Sequence, residues 1–215
     1  ALSYFKCGNF KYFLPTFFFN VMPDNFSLMI HGGSGALAHI RREGSEADFM
    51  EILHRILEGG REVLAKNGSA LDAVEYCAIA LENDRLYNAG HGSVLNEYGE
   101  VEMDAAIMDG QDLAAGAVAG ITNIKNPIGL ARRVLAKSEH VMLIGKGAME
   151  FAKLWDVEVM TDDYFVVDAR IRQWRDAQKA GGMMLDHEDA EPQHKFGTIG
   201  AVARDIHGDL AAATS

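Results

Sequence analysis

Thr198 follows Gly197 in the closing stretch "HKFGTIGAVARDIHGDLAAATS" (194–215), and this pair is where the sequence could do chemistry. It has two readings. In one, Gly197 sits at a strand edge and Thr198 is favoured there for its β-branched shape. In the other, the bond between them is cut and Thr198 becomes a nucleophile at a new N-terminus. Gly197 has no Cβ to obstruct attack on its carbonyl by the Thr198 hydroxyl, and it tolerates strained dihedrals. A freed α-amino group titrates near pH ~8, against ~10.4 for lysine, so it can serve as a base at neutral pH. The polar stretch before the pair, 181–196, reads as a linker that can be severed without dismantling a core element. From these residues alone both readings stay open.

The other candidates are weaker. Gly33-Ser34-Gly35-Ala36-Leu37-Ala38 spells G-x-G-x-x-A after a strand. A dinucleotide site needs that turn to open a helix and a second parallel strand to follow. Here "HIRREG" intervenes and residues 45–82 read as helical, which favours a tight structural turn. The eight histidines include no H-E-x-x-H and no Cys/His pairs at ligand spacing, which argues against zinc. Lys146 in "IGKGAM" lacks P-loop spacing, and no serine sits in a G-x-S-x-G elbow.

Elements must hold any such site. Phe26–His31 reads as a short buried strand running into Gly32-Gly33. Ser45 with Asp48 offers a helix start, and Phe49, Leu53, Ile56, Leu57, Val63 and Leu64 keep helical spacing up to Asn67-Gly68. Ser69 with Asp72 starts a second helix ending near Glu82. Val94–Asn96 and Val101–Met108 flank "EYGE" as a hairpin, and Ala114–Ile124 is a strand rich in small residues. Pro127 opens a helix, Val141–Gly145 is a strand, Ala148–Trp155 is helical, and Thr161–Lys179 carries one more helix. Thr198–Asp205 and Asp209–Thr214 form a last hairpin around His207-Gly208. The pattern predicts a layered α/β fold with substantial antiparallel pairing, without regular βαβ alternation.

Composition narrows the partners. At 215 residues the chain can bury a core as one domain, and its net charge of −11 argues against nucleic acid or a polybasic membrane surface. Cys7 and Cys77 make no disulfide framework, so a reducing, cytoplasmic compartment is expected. No apolar run is long enough to span a bilayer. The first 21 residues, "ALSYFKCGNFKYFLPTFFFNV", are phenylalanine-rich, with two lysines and no acid. Pro15 interrupts the apolar run and no small-x-small cleavage site follows, so a start at Met22 after non-native upstream translation is favoured over a leader. Without them the balance is 18 basic against 31 acidic residues, a net of −13.

Four blocks carry a further signal: "IHGGSGAL" (30–37), "LENDRLYNAGHGSVLN" (81–96), "EMDAAIMDGQDLAAGAVAGITNIKNPIGLAR" (102–132) and "GTIGAVARDIHGDLAAATS" (197–215). In order and spacing they resemble the plant-type asparaginase/isoaspartyl peptidase family of N-terminal-nucleophile hydrolases. The resemblance implies an αββα sandwich made as a precursor that cleaves itself at Gly197–Thr198. An α-subunit region, 22–197, and a β-subunit region beginning at Thr198 would result. It implies hydrolysis of L-asparagine and β-aspartyl dipeptides, with Thr198 as nucleophile and its freed amine as base. Asn88 matches a residue beside the nucleophile, and His31-Gly32-Gly33 a turn implicated in self-cleavage. A sodium ion is implied on the main-chain carbonyls of Leu81, Glu82, Asp84, Tyr87, Ala89 and His91, and a homodimer of αβ units is expected. Glycosylasparaginases are similar but place Asp before the threonine, so Gly197 favours the asparaginase branch. In the family "AAATS" runs on into "TGG", and the substrate clamp and oxyanion hole follow beyond Ser215. The resemblance therefore implies a fragment, inactive alone, with a non-catalytic remnant as the alternative.

Overall fold

The computed structural model describes residues 17–21, 25–33, 46–180 and 198–215. The chain forms β1 (Phe17–Val21), β2 (Ser27–His31), α1 (Glu46–Ala65), α2 (Ala70–Glu82), β3 (Met103–Asp109), β4 (Ala115–Ile121), α3 (Pro127–Lys137), β5 (Met142–Ile144), α4 (Gly145–Leu154), α5 (Asp162–Phe165), α6 (Asp168–Ala180), β6 (Gly200–Arg204) and β7 (Leu210–Thr214). A single-turn 3₁₀ helix occupies Gly90–Gly92. The strands make one sheet in the order β1-β2-β6-β7-β3-β4-β5. All neighbours are antiparallel except β4 with β5.

Period-two alternation decides the faces. Leu28 and Ile30, Ala201 and Ala203, Ala211 and Ala213, and Ala105 and Ile107 point to the buried side. Small residues on β6 and β7 let α2 lie close, with Leu71, Val74, Ala78 and Leu81 against them. α1 covers β2, and α3 covers β3 and β4. The opposite face carries the register row Met29, Val202, Ala212, Met108 and Ala115. Val202 and Met108 there are 49% and 42% exposed, and no described element packs over them. The described residues thus supply one sheet with helices on one face, the mixed α/β layering expected, with the second αβ layer absent from them.

Local chemistry accounts for most boundaries. The Ser69 hydroxyl accepts from the Asp72 N–H at 3.1 Å, while the Asp72 carboxylate accepts from the Ser69 N–H, closing the expected capping box. Pro127 stands in the first turn of α3. The helix start expected at Ser45 lies outside the described residues, as does the linker 181–196.

Two expectations need correction. Val94–Asn96 is not a strand; the segment closes as a turn, with the Asn96 N–H donating to the Glu100 carbonyl at 2.8 Å. β3 pairs instead with β4 and with β7, about a hundred residues later. Thr161–Lys179 is two helices, broken at Val166-Val167. Residues 17–21 form β1 against β2, with Phe17 opposite His31. No described helix is long and apolar enough to cross a membrane.

Candidate active site

Thr198 stands two residues before β6, part-buried, with φ at +91°. A β-branched residue is strained there, because its side chain crowds the backbone in the left-handed half of φ space. The strain sits on one side of the Gly197–Thr198 bond; Gly197 itself lies outside the described residues. The next residue is fixed. Ile199 and Ser215 exchange main-chain hydrogen bonds of 3.0 and 3.2 Å, extending the β6–β7 ladder, and the Thr214 hydroxyl donates to the Ile199 carbonyl at 3.1 Å. Thr198 is therefore a strained residue anchored directly on its C-terminal side.

The turn after β2 reaches it. Gly33, at φ +99°, lies so that a Cβ on it would sit 3.5 Å from the Thr198 carbonyl oxygen. The Gly33 N–H donates to His31 Nδ1 at 3.4 Å. The imidazole lies across Gly200, where an added Cβ would collide with His31 Nε2. Burial pulls the His31 pKa below its ordinary value, favouring the neutral ring that Nδ1 acceptance requires. Gly200 is a close-approach glycine that the sequence did not single out; its signal was a glycine within the expected strand Thr198–Asp205.

Gly32 lies against the ring of Tyr87, leaving no room for a Cβ. Tyr87 is 1% exposed, donates its hydroxyl to the Phe49 carbonyl at 3.2 Å and meets the Phe49 ring edge-on. The next residue, Asn88, accepts the Val94 N–H on Oδ1 at 2.9 Å. The structure thus joins the 31–33 turn to Thr198 through Gly33 and to the 87–88 segment through Gly32.

The loop from Leu81 to His91 folds back on the end of α2. Gly90 (φ +52°) faces the Glu82 carbonyl, and Gly92 faces the Tyr87 and Arg85 carbonyls; a Cβ on either would drive into those oxygens. The Asp84 and Ala89 carbonyls accept bonds from Tyr87 and Gly92 within the loop, each with a second lone pair, while the Leu81 carbonyl accepts from both Asn83 and Asp84. These glycines keep side chains off the Glu82, Tyr87 and Arg85 carbonyls, and backbone oxygens are the kind of ligand that a hard cation takes. Among the described residues no group of His, Cys, Asp and Glu side chains forms a metal site.

The Glu82 side chain was not singled out from sequence. It is fully buried, accepting the Ile128 N–H at 2.9 Å and Asn126 Nδ2 at 3.1 Å. Burial pushes its pKa up to about 7, opposed by hydrogen bonds from Ser215, Ile128 and Asn126. Arg170 on α6, 5% exposed, donates Nε to the Gly92 carbonyl at 2.8 Å and steadies the same loop.

The strand order and the helices packed against the sheet define a layered α/β protein. A family profile described as asparaginase matches residues 24–215, and the chain belongs to that family. It is 39% identical over 219 residues to a putative isoaspartyl peptidase/L-asparaginase of Dictyostelium discoideum, covering 87% of this chain and 63% of that protein. An isoaspartyl peptidase of Salmonella typhimurium is 42% identical over 191 residues, with 87% and 61% covered. A plant-type L-asparaginase of Thermococcus kodakarensis is 47% identical over 154 residues, with 71% and 48% covered. The chain spans about 60% of the length of the first two.

Proposed function

We propose that the complete protein is a self-cleaving threonine amidohydrolase acting on L-asparagine and β-aspartyl dipeptides. The observation that carries this is Thr198 at φ +91°, with Gly33 against its carbonyl. The names of the relatives support the substrate class. In the precursor, the Thr198 hydroxyl attacks the Gly197 carbonyl carbon, the C–N bond breaks, and the nitrogen takes the proton to become the Thr198 amine. Water then hydrolyses the ester, leaving an α chain (22–197) and a β chain that opens at Thr198.

In the mature enzyme the same hydroxyl attacks the side-chain carbonyl of asparagine, and the free amine accepts its proton. Ammonia leaves carrying that proton, an aspartyl ester forms on Thr198, and water releases aspartate. Asn88 flanks the nucleophile in this reading, and the His31–Gly33 turn serves cleavage. The enzyme works in the cytoplasm as a pair of αβ units, and a second sheet packs on the open face of the first. The test is ammonia release from asparagine by the complete protein, alongside aspartate release from a β-aspartyl dipeptide. Absence of both from fully cleaved protein overturns the assignment.

The loop at 81–91 holds sodium through the carbonyls of Leu81, Glu82, Asp84, Tyr87, Ala89 and His91; the cation supplies rigidity to the backbone behind Asn88. Sodium chloride should then raise the thermal midpoint of the complete protein above that in choline chloride. Gly90→Ala should remove that increment and cost about 2 kcal/mol, from the left-handed φ and the collision with the Glu82 carbonyl. An undiminished sodium response in Gly90→Ala argues against this loop as the site.

A further inference from the structure

Arg170 takes no part in the chemistry above, yet only 5% of it reaches solvent. Withdrawing a guanidinium from water costs free energy unless its donors are used. Nη1 donates to Gln173 Oε1 on its own helix at 3.0 Å, and Nε leaves the helix for the Gly92 carbonyl at 2.8 Å. Gly92 is itself buried and lies in no strand, so no sheet ladder supplies a partner for its carbonyl. A side chain from α6, 78 residues further on, supplies it instead.

That carbonyl stands at a junction of the loop. On one side, the Gly92 backbone presses on the Tyr87 carbonyl so closely that no Cβ fits. Tyr87 carries its ring against Gly32, next to the Gly33 that meets Thr198. On the other side, Ser93 (φ −57°, ψ 142°) runs on extended to Val94, whose N–H donates to Asn88 Oδ1 at 2.9 Å. An amide whose oxygen is committed in this way has its NH₂ end aimed as well. The place of Val94 therefore sets the direction of the Asn88 amide, and Gly92 sets the place of Val94.

We propose that Arg170 is a positioning residue for Asn88, holding the Gly92 carbonyl so that the Val94 N–H keeps the Asn88 amide in one orientation. This rests on Asn88 flanking the nucleophile, as read above. The competing reading is that Arg170 only fastens α6. The rest of that helix supplies a control. Trp174 and Gln178, four and eight residues on, donate to the Glu97 carbonyl at 3.4 and 3.0 Å. These bonds fasten the same helix at Glu97 rather than at Gly92.

In the complete protein, Arg170→Met keeps the apolar stem and loses the donors, whereas Arg170→Lys keeps a donor for the carbonyl. Arg170→Met should lower kcat for asparagine about 10-fold, with KM unchanged within about two-fold. Arg170→Lys should recover most of this, to within about three-fold of wild type. Trp174→Leu should lower the thermal midpoint yet keep kcat within about two-fold of wild type. Added to Asn88→Ala, Arg170→Met should cost no further kcat, because the group it acts through is gone. Wild-type kcat in Arg170→Met overturns the proposal, as do losses that multiply across that pair. An equal kcat loss in Trp174→Leu overturns it too. Should Arg170→Met fail to fold, Arg170→Lys takes its place in the cycle, and its smaller loss should vanish beside Asn88→Ala. Should Asn88→Ala leave nothing to measure, the contrast between the Arg170 and Trp174 variants decides. Wild-type turnover in Asn88→Ala sinks the reading of Asn88 and this proposal together, whereas a lowered Asn88→Ala beside a multiplicative cycle sinks this proposal only.

Discussion

The complete protein with Thr198→Ala is expected to remain one uncleaved chain without amidase activity. The N-to-O acyl shift needs a hydroxyl on the carbon β to the scissile nitrogen, and Thr198 carries it. Hydrolysis then needs a free amine on the residue that bears the hydroxyl, which only the cut can create. Both losses follow from one atom, so activity should fall to background and intact mass should show the precursor. Thr198→Ser keeps the hydroxyl but loses the methyl that restricts χ1. It also lowers the cost of the φ of +91°, because serine crowds the backbone less than a β-branched residue. Slower cleavage and weaker turnover are expected, about 10-fold below wild type if alignment of the hydroxyl is limiting. A Thr198→Ala protein that still splits at Gly197–Thr198 would refute the assignment.

The sequence could offer Gly197-Thr198 as a candidate because each requirement is local: a hydroxyl, an unhindered carbonyl and a severable linker. The helix starts at Ser69 and Pro127 were visible for the same reason, since a cap is written within four residues. Strand pairing is not written that way. β3 lies between β4 and β7, and its outer partner comes from Leu210–Thr214, so the valines flanking "EYGE" gave a hairpin that the fold does not make. Glu82 was hidden by the same non-locality. An acid at a helix end, followed by Asn83 and Asp84, reads as a solvated terminus. Its position, four residues after the buried Ala78 and eight after Val74, puts it on the apolar stripe of α2. That spacing was the one available signal, and its meaning needed a partner 46 residues away. The Gly200 contact with His31 was equally out of reach, because 169 residues separate the two.

Asp205 raises a second expectation, about stability. It is 2% exposed, and its two oxygens take three N–H groups. Oδ2 accepts from Ala70, the first residue of α2, at 3.0 Å; Oδ1 accepts from His207 and Asp209 at 2.9 and 3.1 Å, holding the β6–β7 turn. The Ser69–Asp72 box leaves the Ala70 N–H unused, so Asp205 completes the cap of a helix 135 residues earlier. Asp205→Ala strands all three donors, the one on Ala70 in a buried setting, and cuts the tie between α2 and the hairpin. A buried donor left unpaired costs about 1–3 kcal/mol. The total should reach about 3 kcal/mol, or roughly 6–12 °C in the thermal midpoint for a chain of this size. Asp205→Asn retains one oxygen for the turn or for the helix but not for both, so about half that loss is expected. Ser69→Ala removes only an exposed cap bond, about 1 kcal/mol. The order Asp205→Ala, Asp205→Asn, Ser69→Ala is thus the measurable outcome of thermal unfolding. If Ser69→Ala proves the most damaging, the helix is held by its own first turn, and the long-range tie from β6 carries little of the stability of α2.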